Sequence, residues 1–150
     1  MSQLETDAFL TAVRDQLITD VAECEAVNTV VWLLGDNDPD EMIKAAVAKA
    51  AGVSVLIYDL GGDADDEDMI RAKAVVELYV SPTKTFRKTQ QNARTAGAIR
   101  NDIMRTLHRS SALRNTSPNY DCRVLSYQPL ADPEYVAFRI TITHSIYLID

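Results

Sequence analysis

Six acidic residues crowd into ten positions of this chain: Asp59, Asp63, Asp65, Asp66, Glu67 and Asp68. Carboxylates at this density can ligate a hard cation through oxygen. The register is not that of an EF-hand, because Asp63, Asp65 and Glu67 alternate but no glycine occupies the sixth position of such a loop. A solvated hairpin loop explains the cluster more simply, and a contact arm for a basic partner is a third reading. The two histidines are His108 and His144. His144 falls on the apolar face of an alternating segment, where a hydrogen-bonded core or interface histidine is expected. His108 lies close to Arg105 and Arg109 and is expected to face solvent. Neither can be set by sequence beside a cysteine or a Ser–Asp pair of the kind that nucleophilic catalysis needs. Cys24 and Cys122 lack metal-ligand and redox spacing, which reads as two reduced, partly buried thiols of a cytosolic protein. Gly61-Gly62 is not part of a G-x-G-x-x-G run, and no phosphate loop is present. The residues therefore offer no catalytic constellation, and no cofactor or metal is expected.

Charge is distributed more tellingly than its total of −7 suggests. From Lys84 to Arg114 there are eight basic residues and one acid, Asp102, so that segment carries +7; the remainder carries −14. An acidic whole argues against general nucleic-acid binding. The basic segment could touch phosphates, but Phe86 is its one aromatic. A solvated helix face would also account for it. The favoured reading is subunit pairing, in which the basic segment of one copy meets an acidic surface of another. The residues assigned to such an interface are Arg94, Arg105 and Arg109 on the basic side, Asp63, Asp65, Asp66 and Asp68 on the acidic side, and Arg139 and Tyr147 on the terminal strand.

The elements that must position these residues follow from periodicity. With 47% apolar and 25% charged residues, the 150-residue chain reads as one globular domain, residues 1–150. Its apolar runs are too short to span a bilayer, and MSQLETDAFL shows no basic region followed by an apolar core, so no membrane or secretory segment is expected. Phe9, Val13, Leu17 and Val21, with Leu10, form a helical stripe within Thr6 to Ala22. Thr29 to Leu34 reads as a buried strand, followed by turn residues Gly35 to Asp38 and a helix from Pro39 to Ala51 closed by Gly52. Val53 to Tyr58 is a second strand, so strand, short helix and strand suggest a crossover unit. After the acidic loop, Ile70 to Val80 alternates as a third strand. A long helix spans Thr89 to Ser110 with the stripe Ala96, Ile99, Ile103 and Leu107, and Arg94, Arg105 and Arg109 opposite. Cys122 to Tyr127 is a fourth strand and Pro129 to Glu134 a turn. Tyr135 to Ile149 alternates over an unusual length, roughly 50 Å at about 3.3 Å per residue. The radius of gyration of a domain this size is near 15 Å, so the strand is expected to overhang, bend, or pair with something outside. The fold class is α+β: a mixed or antiparallel sheet of about five strands against two or three helices.

Three stretches carry a family resemblance: AKAVVELYVSP at Ala72 to Pro82, AGAIRNDIMRTLH at Ala96 to His108, and EYVAFRITITHSIYL at Glu134 to Leu148. Together with the element order, they make the chain resemble the tail terminator, or tail-completion, proteins of tailed bacteriophages over about Leu4 to Asp150. The helix Pro39 to Ala51 departs from the loop that many such proteins have there, which leaves head–tail connector and gene-transfer-agent relatives open. The resemblance implies a homo-oligomeric ring, hexameric, that caps the tail tube and joins it to neck proteins in the virion after synthesis in the host cytoplasm. It implies that DNA passes through the lumen without specific binding, repelled by acidic walls, and it transfers no catalytic residue. Two rivals stand beside it. One is a dimeric adaptor or binding domain whose long strand pairs edge to edge. The other is a small nuclease-like or metal-dependent enzyme using the acidic loop.

Overall fold

The computed structural model describes residues 2–25, 30–33, 52–66, 68–81, 95–110 and 122–147. Helix α1 is Ser2–Asp20 and α2 is the single turn Ala22–Glu25. Strand β1 is Val30–Leu33, β2 is Val53–Asp66 and β3 is Met69–Val80. Helix α3 is Ala96–Leu107, and strands β4 and β5 are Arg123–Leu130 and Val136–Tyr147. Among these elements no helix is long and apolar enough to cross a membrane.

The strands form one sheet in the order β1-β2-β3-β5-β4. The pairs β2–β3, β3–β5 and β5–β4 are antiparallel, and the short β1 lies parallel to β2. The α+β class is thus observed, with a four-stranded antiparallel body and a four-residue parallel strand added at one edge. The parallel pairing agrees with a crossover between β1 and β2, while the expected helix Pro39 to Ala51 lies outside the described residues.

Alternation along the strands decides which side meets the helices. Val53, Val55 and Ile57 of β2, Ala74, Val76, Leu78 and Val80 of β3, and Ile140 and Ile142 of β5 all point to one face and are fully buried. Phe9, Leu10, Val13 and Leu17 of α1, Val21 just beyond it, and Ala96, Ile99, Ile103 and Leu107 of α3 cover that face in a single core. Each stripe repeats every three or four residues, so a helix can bury it along one side. Cys24 and Cys122 complete this core as buried thiols.

Several boundaries differ from expectation for identifiable reasons. Helix α1 starts nearer the N-terminus than Thr6 and breaks at Val21. Helix α3 starts at Ala96, because Thr95 has extended backbone and its Oγ1 accepts from the Ala98 N–H at 3.1 Å; the expected stretch from Thr89 to Arg94 lies outside the described residues. Strand β4 runs through Pro129 to Leu130, where a turn was expected; it is an edge strand, a setting in which a missing N–H is tolerated. The acidic segment is not a loop. Strand β2 continues through it to Asp66, pairing Gly61↔Lys73, Gly62↔Ala72 and Asp63↔Arg71, and Asp68 stands in a turn just before β3. Gly61 has φ +94° and serves a bulge within the strand instead of a turn. The terminal strand ends its described course at Tyr147 and needs no partner outside the chain. Strand β3, equally long, pairs with it in unbroken register from Met69↔Tyr147 to Val80↔Val136, and β4 flanks its other side. Being interior, it is not available along that length for edge-to-edge dimerisation.

Candidate functional site

Two surfaces of opposite charge occupy opposite edges of the sheet. Strand β1 covers β2 only from Ser54 to Ile57, so beyond Asp59 the outer side of β2 has no strand beside it among the described residues. Here Asp59 and Asp63 are exposed, and the Asp68 turn is exposed next to them. The backbone of Asp65 and Asp66 belongs to the same strand end, and Tyr147 sits in the same row through the Asp66↔Met69 and Met69↔Tyr147 pairs.

The shape of that edge is set by glycines. Between Asp59↔Ala74 and Gly61↔Lys73 the register slips by one, leaving Leu60 as the extra residue of a bulge. Gly61 supplies the positive φ. At Gly62 a Cβ would lie 2.8 Å from the Cα of Ala72 and 2.8 Å from the Arg71 carbonyl oxygen, so β3 approaches too closely for any side chain. Leu60 is consequently 55% exposed on the outer edge.

The other surface lies where the end of α3 meets β4. Arg105 is in the last helical turn, where a cation also complements the helix dipole. The His108 N–H donates to the Met104 carbonyl at 2.9 Å, and its Nδ1 accepts from the Val124 N–H at 3.0 Å, so this exposed histidine ties helix to strand. Arg109 adopts φ 53° and its N–H donates to the Cys122 carbonyl at 2.9 Å. Arg105 and Arg109 are exposed as expected, and Arg123 joins them from β4. Between them Met104, Arg105, His108 and Val124 line an open depression of about 420 Å³. Beside it, Leu125 is the extra residue of a second bulge, between Val124↔Ile142 and Ser126↔Thr141, and is 54% exposed. One turn back along α3, the guanidinium of Arg100 lies 4.1 Å from the ring centre of Tyr127 and 4.6 Å from that of Phe138. Arg94 lies outside the described residues.

Arg139 is in neither group. On the face away from α1 and α3 its Nε donates to Oε2 of the buried Glu77 at 3.1 Å. Tyr79 donates to Oε1 of Glu77 at 2.6 Å, and Tyr58 donates to Oε2. Burial, reinforced by the bond to the Glu77 carboxylate and by its charge, pushes the Tyr58 phenol up to about 12 and raises Tyr79 further. Burial works against the Arg139 cation, but its bond to Glu77 and the nearby oxygens outweigh this and hold its pKa above the usual value. Sequence reasoning missed this cluster. Its signal was Glu77 and Tyr79 two apart on one strand face, but Tyr58 and Arg139 reach it only through strand register.

His144 is fully buried, as its place on the apolar face implied, but not hydrogen-bonded: neither ring nitrogen has a partner among the described residues. Burial drives its pKa down to about 4, with Arg71 adding to the fall and Asp59 opposing it.

Among the described residues no three His, Cys, Asp or Glu side chains converge in a way that could hold a metal ion. The arrangement is suited to contact, with one acidic edge and one basic edge separated by three interstrand steps, about 14 Å at about 4.8 Å each. No protein-family model matches the chain, and no curated protein matches it significantly.

Proposed function

We propose that the chain is a structural subunit of a homo-oligomeric ring, a protein of the tail-terminator kind that caps a phage tail tube, joins it to the neck and lets DNA pass through its lumen. The observation that carries this reading is the placement of opposite charges on different edges of one sheet. A surface that pairs with a different surface of the next copy makes a head-to-tail contact, and such contacts close into rings when the rotation permits. A two-fold dimer built on β4 would instead bring Arg105, Arg109 and Arg123 against their own copies. Individual exposed ion pairs contribute about 0–1 kcal/mol, so the charges set register and encounter rate while apolar contact supplies affinity.

Native mass measurement over a range of protein concentrations, alone and with purified tail tubes, tests the proposal. A ring species, hexameric by the resemblance, is expected. Arg105→Glu with Arg109→Glu should impair it, and adding Asp65→Lys and Asp66→Lys in the same chain should partly restore it. A protein that stops at a dimer under all these conditions refutes the ring and favours a dimeric binding domain joined elsewhere than along β5.

A further inference from the structure

The two bulges place the two most exposed large apolar side chains of the described residues, Leu60 and Leu125, on opposite edges of the sheet. An exposed leucine at a single position is unremarkable. These two are presented by backbone devices, and at Leu60 the device takes two adjacent glycines, one for its φ of +94° and one for the close approach of β3. Their surroundings are complementary. Leu60 lies in an exposed stretch of β2 with the exposed Asp59 and Asp63, whereas Leu125 follows Val124, which lines the depression together with Met104, Arg105 and His108.

We infer that Leu60 of one copy seats in the Met104–Val124 depression of a second copy, against Leu125, with Asp59 and Asp63 meeting Arg105 and Arg109 around it. Within one chain the two surfaces are held apart by β3 and β5, so the contact forms only between copies. Backbone pairing of the two edges is not the mode. Pro129 on β4 and bulges on both strands interrupt the ladder an added strand would need. A side chain in a depression, rimmed by charges of opposite sign, requires no ladder. The inference rests on the ring reading and specifies its contact. Apolar burial at the centre with charges at the rim is the usual anatomy of a specific interface.

The test mixes two variants of the whole chain, Leu60→Cys and Leu125→Cys, and adds a short bis-maleimide; the native Cys24 and Cys122 are buried, and native chain treated alike gives the background. Cross-linked dimer should form in the mixture at least tenfold above either variant alone. Leu60→Asp should weaken association at least tenfold while leaving the circular dichroism spectrum and unfolding midpoint close to native. Oligomers by mass without the mixed cross-link, or undiminished association of Leu60→Asp, overturn the seated leucine and leave the ring standing. A chain that stays monomeric at millimolar concentration and on tail tubes, with no cross-link, overturns both.

Discussion

The imidazole of His144 lies flat on the phenyl ring of Phe9, with centroids 3.8 Å apart and 15° between the planes. A neutral ring belongs there, since a charged one would be buried without a hydrogen-bond partner among the described residues. The pKa falls from about 6.5 in the unfolded chain to about 4 in the folded one. The unfolded state therefore binds the proton first. The stability His144 provides is complete above about pH 6.5 and is lost as pH falls from there to about 4, a change on the order of 3 kcal/mol. Urea unfolding at pH 7.5 and pH 5 should show about 2 kcal/mol of this loss, the rest following below pH 5, and His144→Phe should remove most of it. Equal pH slopes for the two proteins would contradict the assignment.

Glu77 accepts hydrogen bonds from Tyr58, Tyr79 and Arg139, so replacing it strands three donors. Glu77→Ala should cost about 2–4 kcal/mol, with little of that from the ion pair itself, because Arg139 is 38% exposed and solvent screens it. Denaturant titration measures the cost.

The same carboxylate affects the alkaline limb. Tyr58 ionises near pH 10 when unfolded and near 12 when folded, so its contribution to stability disappears as pH rises between those values. Tyrosinate absorbance of Glu77→Gln should rise at lower pH than that of the native chain, because the charge and the charge-assisted bond that restrain Tyr58 are gone. Superimposable curves would mean that burial alone sets the shift.

Ile103 is fully buried in the core that α3 shares with Ala74, Val76 and Leu78. Ile103→Ala should destabilise by about 2–5 kcal/mol, through lost transfer energy and the cavity left behind. A midpoint shift equivalent to less than about 0.5 kcal/mol would show that the site collapses to fill itself.

Gly62 faces β3 with no room for a methyl group. Gly62→Ala should lower stability by about 1–3 kcal/mol, the usual range for overpacking, and raise amide exchange at the distal half of the β2–β3 hairpin. Native exchange rates for Asp63 to Ile70 would indicate that the strands part at no cost.

The core was legible because burial and periodicity coincide. All four residues of the α3 stripe, Ala96, Ile99, Ile103 and Leu107, are buried, and the even-numbered face of β3 from Ala72 to Val80 is buried as its alternation demands. The acidic strand end was not legible, because glycine and aspartate are depleted from strands and Gly61-Gly62 is ordinary turn chemistry. Only a partner strand as long as Met69–Val80 reveals that the segment pairs. The basic surface was half visible. Arg105 fell on the outer side of the helix as its periodicity required, but Arg109 lies in the turn beyond the helix end, and Arg123, Val124 and Leu125 join them through the fold. Arg139 was read as a contact residue from its charge, and its bond to Glu77 depends on strand register that no local pattern records.

Strand β5 follows β3 and β4 in the chain yet lies between them in the sheet. During synthesis both of its neighbours leave the ribosome before it does, and neither can pair with the other in the native arrangement. The middle of the sheet is the last part supplied, so the nascent protein holds β3 open until Val136 to Tyr147 arrives. Contacts this distant in sequence slow folding and lengthen the exposure of unpaired strands. Completion of the sheet is therefore a late event, and the Glu77–Arg139 bond and the Phe9–His144 stack, both of which require β5, can serve as reporters of it.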